Sequence, residues 1–236
     1  MNAPRSPLDA LNGADALAAR HRWQERISHP GDELDQMALQ EAGKRSRAGT
    51  SVSALQVDCG DALLGLRLAR AGANVLAVDE LSGTGALLDE AIQALDVRDK
   101  FRFQTWNSNH CLDTTPLPGT PFDIVACPHS LSYQPYAQAH TLLRRLALMT
   151  KIGGKLYISA YGIHSELSAG YADENRPVRQ RFSELAPAVA EKYGINKALC
   201  LYSERDLFLL LFEAGLSVVK TFTTTHGTVK AIAVRV

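Results

Sequence analysis

Between Ala54 and Glu80 the chain reads as a strand, a tight turn, a helix and a second strand that ends on two acids. ALQVDCG supplies the first strand and the Cys59-Gly60-Asp61 turn, DALLGLRLARAGA the helix, and NVLAVDE the strand that delivers Asp79 and Glu80. An apolar strand that passes through a short turn into a helix, and returns as another apolar strand, is the opening unit of a parallel α/β sheet. In such sheets the turn and the helix N-terminus face a nucleotide, and an acid at the end of the second strand holds its ribose. Asp79 follows Gly60 by 19 positions, close to the spacing of about 20 for a ribose-binding acid. Glu80 can share that role. The turn itself holds a single glycine, Gly60.

The alternation continues downstream. Expected strands are Ala54–Val57, Asn74–Val78, Phe101–Thr105, Phe122–Cys127 and Lys155–Ala160, the last preceded by an Ile152-Gly153-Gly154 turn. Helices are expected near 62–71, 84–95 and 138–149. Near-continuous apolar strands such as DIVAC suit a sheet covered on both faces. Residues 162 to about 202 break this rhythm with polar, proline-bearing segments. They read as an insertion over the carboxyl ends of the strands, with one or two helices. A helix at 204–214 ends at Gly215, a plausible C′ glycine. Ser217–Thr223, the Thr225-His226-Gly227 turn and Val229–Val236 then form an antiparallel hairpin. The expected fold class is α/β: a Rossmann-like doubly wound sheet of about seven strands, mostly parallel, with a C-terminal antiparallel hairpin. Leu207, Leu210, Leu211 and Phe212 are expected in its core from their helical spacing.

One α/β domain with a cap and an insertion is the simplest count for this pattern. Residues 1–53 form an N-terminal tail and helices, a lid or cap, and residues 54–236 form the α/β domain with the insertion at about 162–202. An exposed helix bearing Trp23 could serve as that lid or as a dimer contact, so a homodimer or protein partner is possible.

Charge and cysteines narrow the function classes. Lys and Arg together number 25, as do Asp and Glu, so no overall field draws the chain to nucleic acid or an anionic membrane. Four cysteines lie apart, at 59, 111, 127 and 200. That spacing argues against a zinc site or a disulfide framework and suits a reducing, cytoplasmic location. No segment has the run of about 20 apolar residues that spans a bilayer, so no membrane association is expected. The histidines lack metal-ligand spacing, and no metal is assigned. Neither a phosphate loop ending in Gly-Lys-Ser/Thr nor a Gly-x-Ser-x-Gly elbow occurs.

Four stretches, LQVDCGDALLGLRLARAGANVLAVD, PFDIVACPHSLSY, LLRRLALMTKIGGKLYISAYG and ERDLFLLLFEAGLSVVKTF, together resemble the class I S-adenosylmethionine-dependent methyltransferases of the small-molecule type. HRWQER near the N-terminus is similar to the Trp-bearing helix that precedes many of its members. The resemblance covers about residues 54–236 and implies S-adenosylmethionine as cofactor and a small-molecule methyl acceptor. In a gapless register the family's acid-x-Gly-x-Gly-x-Gly pattern falls on Gln56, Asp58, Gly60 and Ala62, so the glycine motif is degenerate. Shifting by two residues makes Asp58 the acid, at the expense of the loop and helix that follow. The resemblance assigns the cofactor to Gln56, Asp58, Gly60, Asp79 and Glu80. It adds Trp106 and Asn107, after the third strand, as residues flanking and hydrogen-bonding the adenine, and Pro128 after the fourth.

Among acceptor-side residues, His129 follows the fourth strand at the ligand end of the sheet and can act as a base, since an imidazole titrates near neutrality. It can equally be a loop residue that satisfies hydrogen bonds. Tyr133 and Tyr161 can shape a pocket or serve as half-buried anchors with wet hydroxyls. Arg176, Arg179 and Arg181 could clamp an anion or form a solvated face. Cys59 lies beside acids that disfavour its thiolate. Three functions remain open: methyl transfer to a small molecule; a catalytically inactive methyltransferase fold acting as a binding or regulatory subunit; and a nicotinamide-dependent oxidoreductase, which would need a roomier glycine turn.

Overall fold

The computed structural model describes residues 13–28, 31–80, 85–106, 117–119 and 121–236. Seven strands form one sheet: β1 (Ser53–Val57), β2 (Asn74–Asp79), β3 (Phe101–Thr105), β4 (Phe122–Pro128), β5 (Thr150–Ala160), β6 (Ser217–Thr223) and β7 (Val229–Val234). Their order is β3-β2-β1-β4-β5-β7-β6. β1–β2, β2–β3 and β4–β5 pair parallel, while β5–β7 and β6–β7 pair antiparallel. The expected fold class is the observed one. The residues gather into two compact units, Met1–Trp106 and Asn107–Val236.

In the first unit, helices α1 (Gly13–Ser28), α2 (Glu33–Arg47), α3 (Leu63–Arg70) and α4 (Gly85–Ala94) accompany β1 to β3. The Asp32 carboxylate starts α2 by accepting the N–H groups of Leu34 and Asp35 at 2.8 and 3.1 Å, a cap that contributes about 1 kcal/mol. Lys44, Arg45 and Arg47 in its last turn complement the helix dipole. α3 lays Leu64, Leu66 and Leu68 against β1 and β2, and each such leucine contributes about 1.5–3 kcal/mol on burial. Gly65 sets how close it comes. A Cβ there would stand 2.7 Å from Gln56 Oε1 and 2.9 Å from the Phe101 ring.

Contrary to expectation, Trp23 is not exposed on its helix. Trp23 is buried, and its indole N–H donates to the Glu90 carboxylate on α4 at 3.0 Å, beside Arg22 at the same distance. Arg67 of α3 adds a hydrogen bond to the Ile27 carbonyl and an ion pair with Asp35. Within this unit α1 packs on α3 and α4, and α2 on α3.

In the second unit, α5 (Tyr136–Met149) buries Ala139, Leu142, Leu143 and Leu146, the stripe of an amphipathic helix. β5 begins earlier than expected, and the Gly153-Gly154 pair is part of it rather than a turn before it. Gly153, with φ of +73°, donates its N–H to the Arg235 carbonyl, and Arg235 N–H returns to Gly154. The glycines thus form an irregularity that keeps pairing with the chain beyond β7, and the β4–β5 register shifts there.

The 162–202 insertion holds one short helix, α6 (Pro187–Tyr193), and two 3-10 turns. It has a core of its own, built from Ile163, Leu167, Tyr171, Leu185, Leu199 and Leu201. A bridge between Gly162 and Tyr202 ties its two ends together. Arg176, Arg179 and Arg181 pair with Asp173, Glu213 and Asp206 of the chain itself. α7 (Glu204–Glu213) opens on a Ser203–Asp206 capping box and is followed by Gly215 at φ +86°. Leu207, Leu210 and Leu211 are buried as expected, but Phe212 is 65% exposed and stacks on Phe208. The inward stripe continues to Ala214, which leaves position 212 on the outer flank. Among the described residues no helix is long and apolar enough to cross a membrane.

Candidate functional site

In the first unit the chain leaves β1 through Asp58, Cys59, Gly60, Asp61 and Ala62 before α3 begins. Asp58, Gly60 and Ala62 have φ of 48°, 54° and 55°. These are the three positions that the gapless register aligns with glycine. The backbone follows a glycine path although two of the three residues carry a Cβ, at about 1 kcal/mol of strain for each non-glycine residue.

Hydrogen bonds hold that path. Cys59 N–H donates to the Val78 carbonyl at 3.2 Å, and Ala62 N–H to the Cys59 carbonyl at 2.8 Å. Gly60 N–H donates to Asp79 Oδ2 at 2.9 Å, which joins the turn to the end of β2. Beneath the turn lies buried Gln56. Its Oε1 accepts the Gly65 N–H at 2.7 Å and its Nε2 donates to the Cys59 carbonyl at 3.4 Å. Gln56 thus shapes the turn from below, and its amide is engaged at both ends by backbone.

The face of the turn is open and acidic. Nothing stands within 4 Å of where a Gly60 Cβ would be. Asp79 is half-buried, while Asp61 and Glu80 are exposed. Burial first, then Asp79, Asp58 and Asp61, push the Cys59 thiol up to about 12. The thiol is therefore an inert reporter of a negative field. Arg26 approaches Asp61 at 3.5 Å, with both side chains about half in solvent. Such a turn favours a cationic group and repels a pyrophosphate. Trp106 N–H donates to the Asp79 carbonyl at 2.8 Å, and its side chain belongs to the buried core. Asn107 lies outside the described residues.

In the second unit, β4 ends at half-buried Pro128, and His129 follows at φ 59°. Its N–H donates to the Ser159 carbonyl of β5 at 2.9 Å. The imidazole stacks on Tyr161, with centroids 4.4 Å apart and planes 22° off parallel. Tyr161 meets Tyr133 edge-on, and their hydroxyl oxygens are 3.2 Å apart. Ser132 secures this group: its Oγ accepts the Tyr161 N–H at 2.8 Å, and its carbonyl accepts Cys200 N–H from the insertion at 2.7 Å. Burial and then the bond to Tyr133 raise the Tyr161 phenol, which keeps its proton.

Tyr133 and Tyr161 line a cavity of about 600 Å³, a size that suits a small molecule. Its other walls come from Gly162 and residues 164–167 after β5, residues 193–195 at the end of α6, and residues 225–228 of the β6–β7 turn. Two glycines let those walls meet. A Cβ on Gly162 would stand 1.9 Å from the Gly227 carbonyl oxygen, and one on Gly227 would stand 2.5 Å from the Ser165 Cβ. His129 touches Tyr161 and is not among the lining residues. His164, Glu166 and His226 do line the cavity, and sequence reasoning gave them no role. They sit far apart in the chain, and the only local signal was the glycine of the hairpin turn. Among the described residues, no cluster of His, Cys, Asp and Glu could hold a metal ion.

No family model and no curated protein matches the chain. Solved structures do. Magnesium protoporphyrin IX methyltransferase from Synechocystis PCC 6803, with bound SAH, is 19% identical with a TM-score of 0.58, and 97% of each chain is covered. A 1,6-didemethyltoxoflavin-N1-methyltransferase from Burkholderia thailandensis is 17% identical with a TM-score of 0.57; the match covers 100% of this chain and 93% of that one. An S-adenosylmethionine-dependent methyltransferase from Clostridium acetobutylicum is 15% identical with a TM-score of 0.59, covering 94% and 99%. Together with the strand order, these likenesses establish that the chain has the fold of the S-adenosylmethionine-dependent methyltransferases.

Proposed function

We propose that the protein is an S-adenosylmethionine-dependent methyltransferase acting on a small molecule. The observation that carries this reading is the acidic, left-handed turn after β1, bonded through Gly60 to Asp79. S-adenosylmethionine bears a sulfonium and an ammonium against one carboxylate, so its net charge is positive. A dinucleotide brings a negative pyrophosphate instead, and three aspartates beside the turn oppose it. The nicotinamide reading is accordingly the weaker one.

The residues fit the cofactor in kind. Asp79 and Glu80 would take the ribose hydroxyls, and the open face at Gly60 would admit close approach. Gln56 would act on the turn from below. Bound there, the cofactor would supply a methyl group already activated by its sulfonium. The acceptor is read as lying in the cavity beneath the 162–202 insertion. There the Tyr133 and Tyr161 hydroxyls would orient it, with Tyr161 steadied by the His129 ring. Alignment and exclusion of water are most of what such a transfer asks of a protein. The named small-molecule methyltransferases among the solved neighbours support this reading.

A second reading, a fold that no longer turns over, is favoured by Asp58 and Ala62 at glycine positions. Isothermal titration of the full chain with S-adenosylmethionine, S-adenosylhomocysteine and NAD separates the readings. Micromolar binding of the first two, with none of NAD, is expected. Silence toward all three supports an inactive module, and binding of NAD alone sinks the methyltransferase reading.

A further inference from the structure

The cavity of the second unit carries an unusual assortment of groups. Among the described residues that line it, Glu166 is the one with a formal charge. Its carboxylate accepts from the Lys192 ammonium and from the Tyr193 hydroxyl. Those two contacts, Lys192 first, hold it below the usual carboxylate range. An incoming ammonium would have to compete with a lysine already in place. The aromatic faces that could hold a cation instead are also partly taken. Lys192 Nζ lies 5.0 Å from the Tyr193 ring centroid, and the His129 ring covers one face of Tyr161.

Uncharged groups that can donate, and also accept, are plentiful by contrast. Tyr133 and Tyr161 have two hydroxyl protons and one bond between them, so the pair has one proton to offer a ligand. Exposed His164 and His226 come from two different segments, and each can present a ring N–H. Thr225 adds a hydroxyl. Donors surrounding tyrosine rings suit a planar ligand that brings acceptor oxygens.

We propose that this cavity binds a small aromatic ligand through an acidic oxygen group, a phenol bearing a carboxylate being the best-matched class, and discriminates against amines of the same shape. The inference rests on the methyltransferase reading only in treating that ligand as the methyl acceptor; the cavity's selectivity stands apart from it.

Three probes share one ring and differ in charge: 4-hydroxybenzoate, 4-hydroxybenzyl alcohol and tyramine. Each is titrated into the full chain without cofactor, by calorimetry or ligand-observed NMR, and S-adenosylhomocysteine is titrated separately into the same protein. 4-Hydroxybenzoate is expected to bind tightest and tyramine about tenfold or more weaker. Replacing both imidazoles (His164→Ala with His226→Ala) is expected to weaken 4-hydroxybenzoate about tenfold and to leave the alcohol within about threefold. Equal or tighter binding of tyramine overturns the proposal, as does binding of none of the three. Retention of 4-hydroxybenzoate affinity in a folded double variant overturns it too. Both imidazoles are exposed, so that variant should keep wild-type thermal stability, and the ranking in the unaltered chain decides the matter by itself. The separate cofactor titration keeps a failure here distinct from a failure of the methyltransferase reading.

Discussion

The turn after β1 and the cavity beneath the insertion are built by opposite means. The turn is a backbone device: alternating left-handed residues, a carboxylate on a glycine N–H, and a ring of aspartates. The cavity is a side-chain device: stacked and edge-on aromatic rings, a satisfied ion pair, and walls that meet where two glycines touch. A backbone device can tolerate different residue types as long as the path persists, and Asp58 and Ala62 follow it beside Gly60. A side-chain device cannot, because its shape is its residues. The first therefore suits a part common to many ligands, such as an adenosine, and the second suits the part that varies.

The sharpest way to break that contrast is Gly162→Ala. Its Cβ would fall 1.9 Å from the Gly227 carbonyl oxygen, and backbone rather than a flexible side chain would have to yield. A loss of about 2–3 kcal/mol is expected in denaturant unfolding, together with loss of ligand binding in the cavity. Unchanged stability would mean that the wall is softer than its contacts imply. Asp79→Ala comes next. It removes the acceptor of the Gly60 N–H and the proposed ribose acid together. Affinity for S-adenosylhomocysteine should fall about tenfold or more, since a charge-assisted hydrogen bond is worth about 1.5–3 kcal/mol. Full affinity in that variant would remove Asp79 from the site.

The two regions also differ in what could be read from residues alone. The turn was legible because its signal is local: strand, glycine, helix and an acid at a fixed spacing all lie within Ala54–Glu80. Even so, the inward direction of Gln56 was not, since an amide at the end of a strand can face either the core or a ligand. In the second unit His129, Tyr133 and Tyr161 could be suspected from their places after β4 and β5. The way His129 stacks behind Tyr161, and the arrival of His164 and His226 at one cavity, depend on the packing of the insertion and the hairpin. No local periodicity encodes that. Phe212 and Trp23 were misplaced for a related reason: helical spacing says that a helix has an inner face, and only its neighbours decide which residues bound it.

Alkaline pH sharpens the comparison through one buried thiol in each region. Cys59 is pushed up to about 12 by burial and then by the aspartates, and Cys200 to about 11 chiefly by burial, with a Tyr202 hydrogen bond and then Arg181 opposing. Both folded values lie above the ordinary thiol value of 9.0, so the unfolded chain releases these protons first. Their contribution is complete below about pH 9 and is lost as pH rises toward about 12. Melting temperature should fall across that window. Cys59→Ala should flatten the fall throughout about pH 9–12, and Cys200→Ala only the part below about pH 11. An Asp58→Asn change should narrow the Cys59 window, because it removes one of the charges that raise the thiol; no change would deny the acidic field at the turn.

The smallest effect tests the backbone claim most directly. Ala62 is fully buried at φ 55°, immediately before α3 and without a side-chain cap. Alanine in the left-handed region is strained, whereas glycine is not, although glycine adds about 0.4–1 kcal/mol of disorder to the unfolded chain. Strain exceeds that entropy at positive φ, so Ala62→Gly should stabilise the protein slightly, by less than about 1 kcal/mol. The same replacement at Leu66, inside α3, should destabilise it, because it removes a fully buried side chain from a right-handed helix. If both changes destabilise, position 62 is not strained in solution, and the turn has settled into a path of its own. If Ala62→Gly is neutral or stabilising and also tightens S-adenosylhomocysteine binding, the glycine path is still the one the ligand requires.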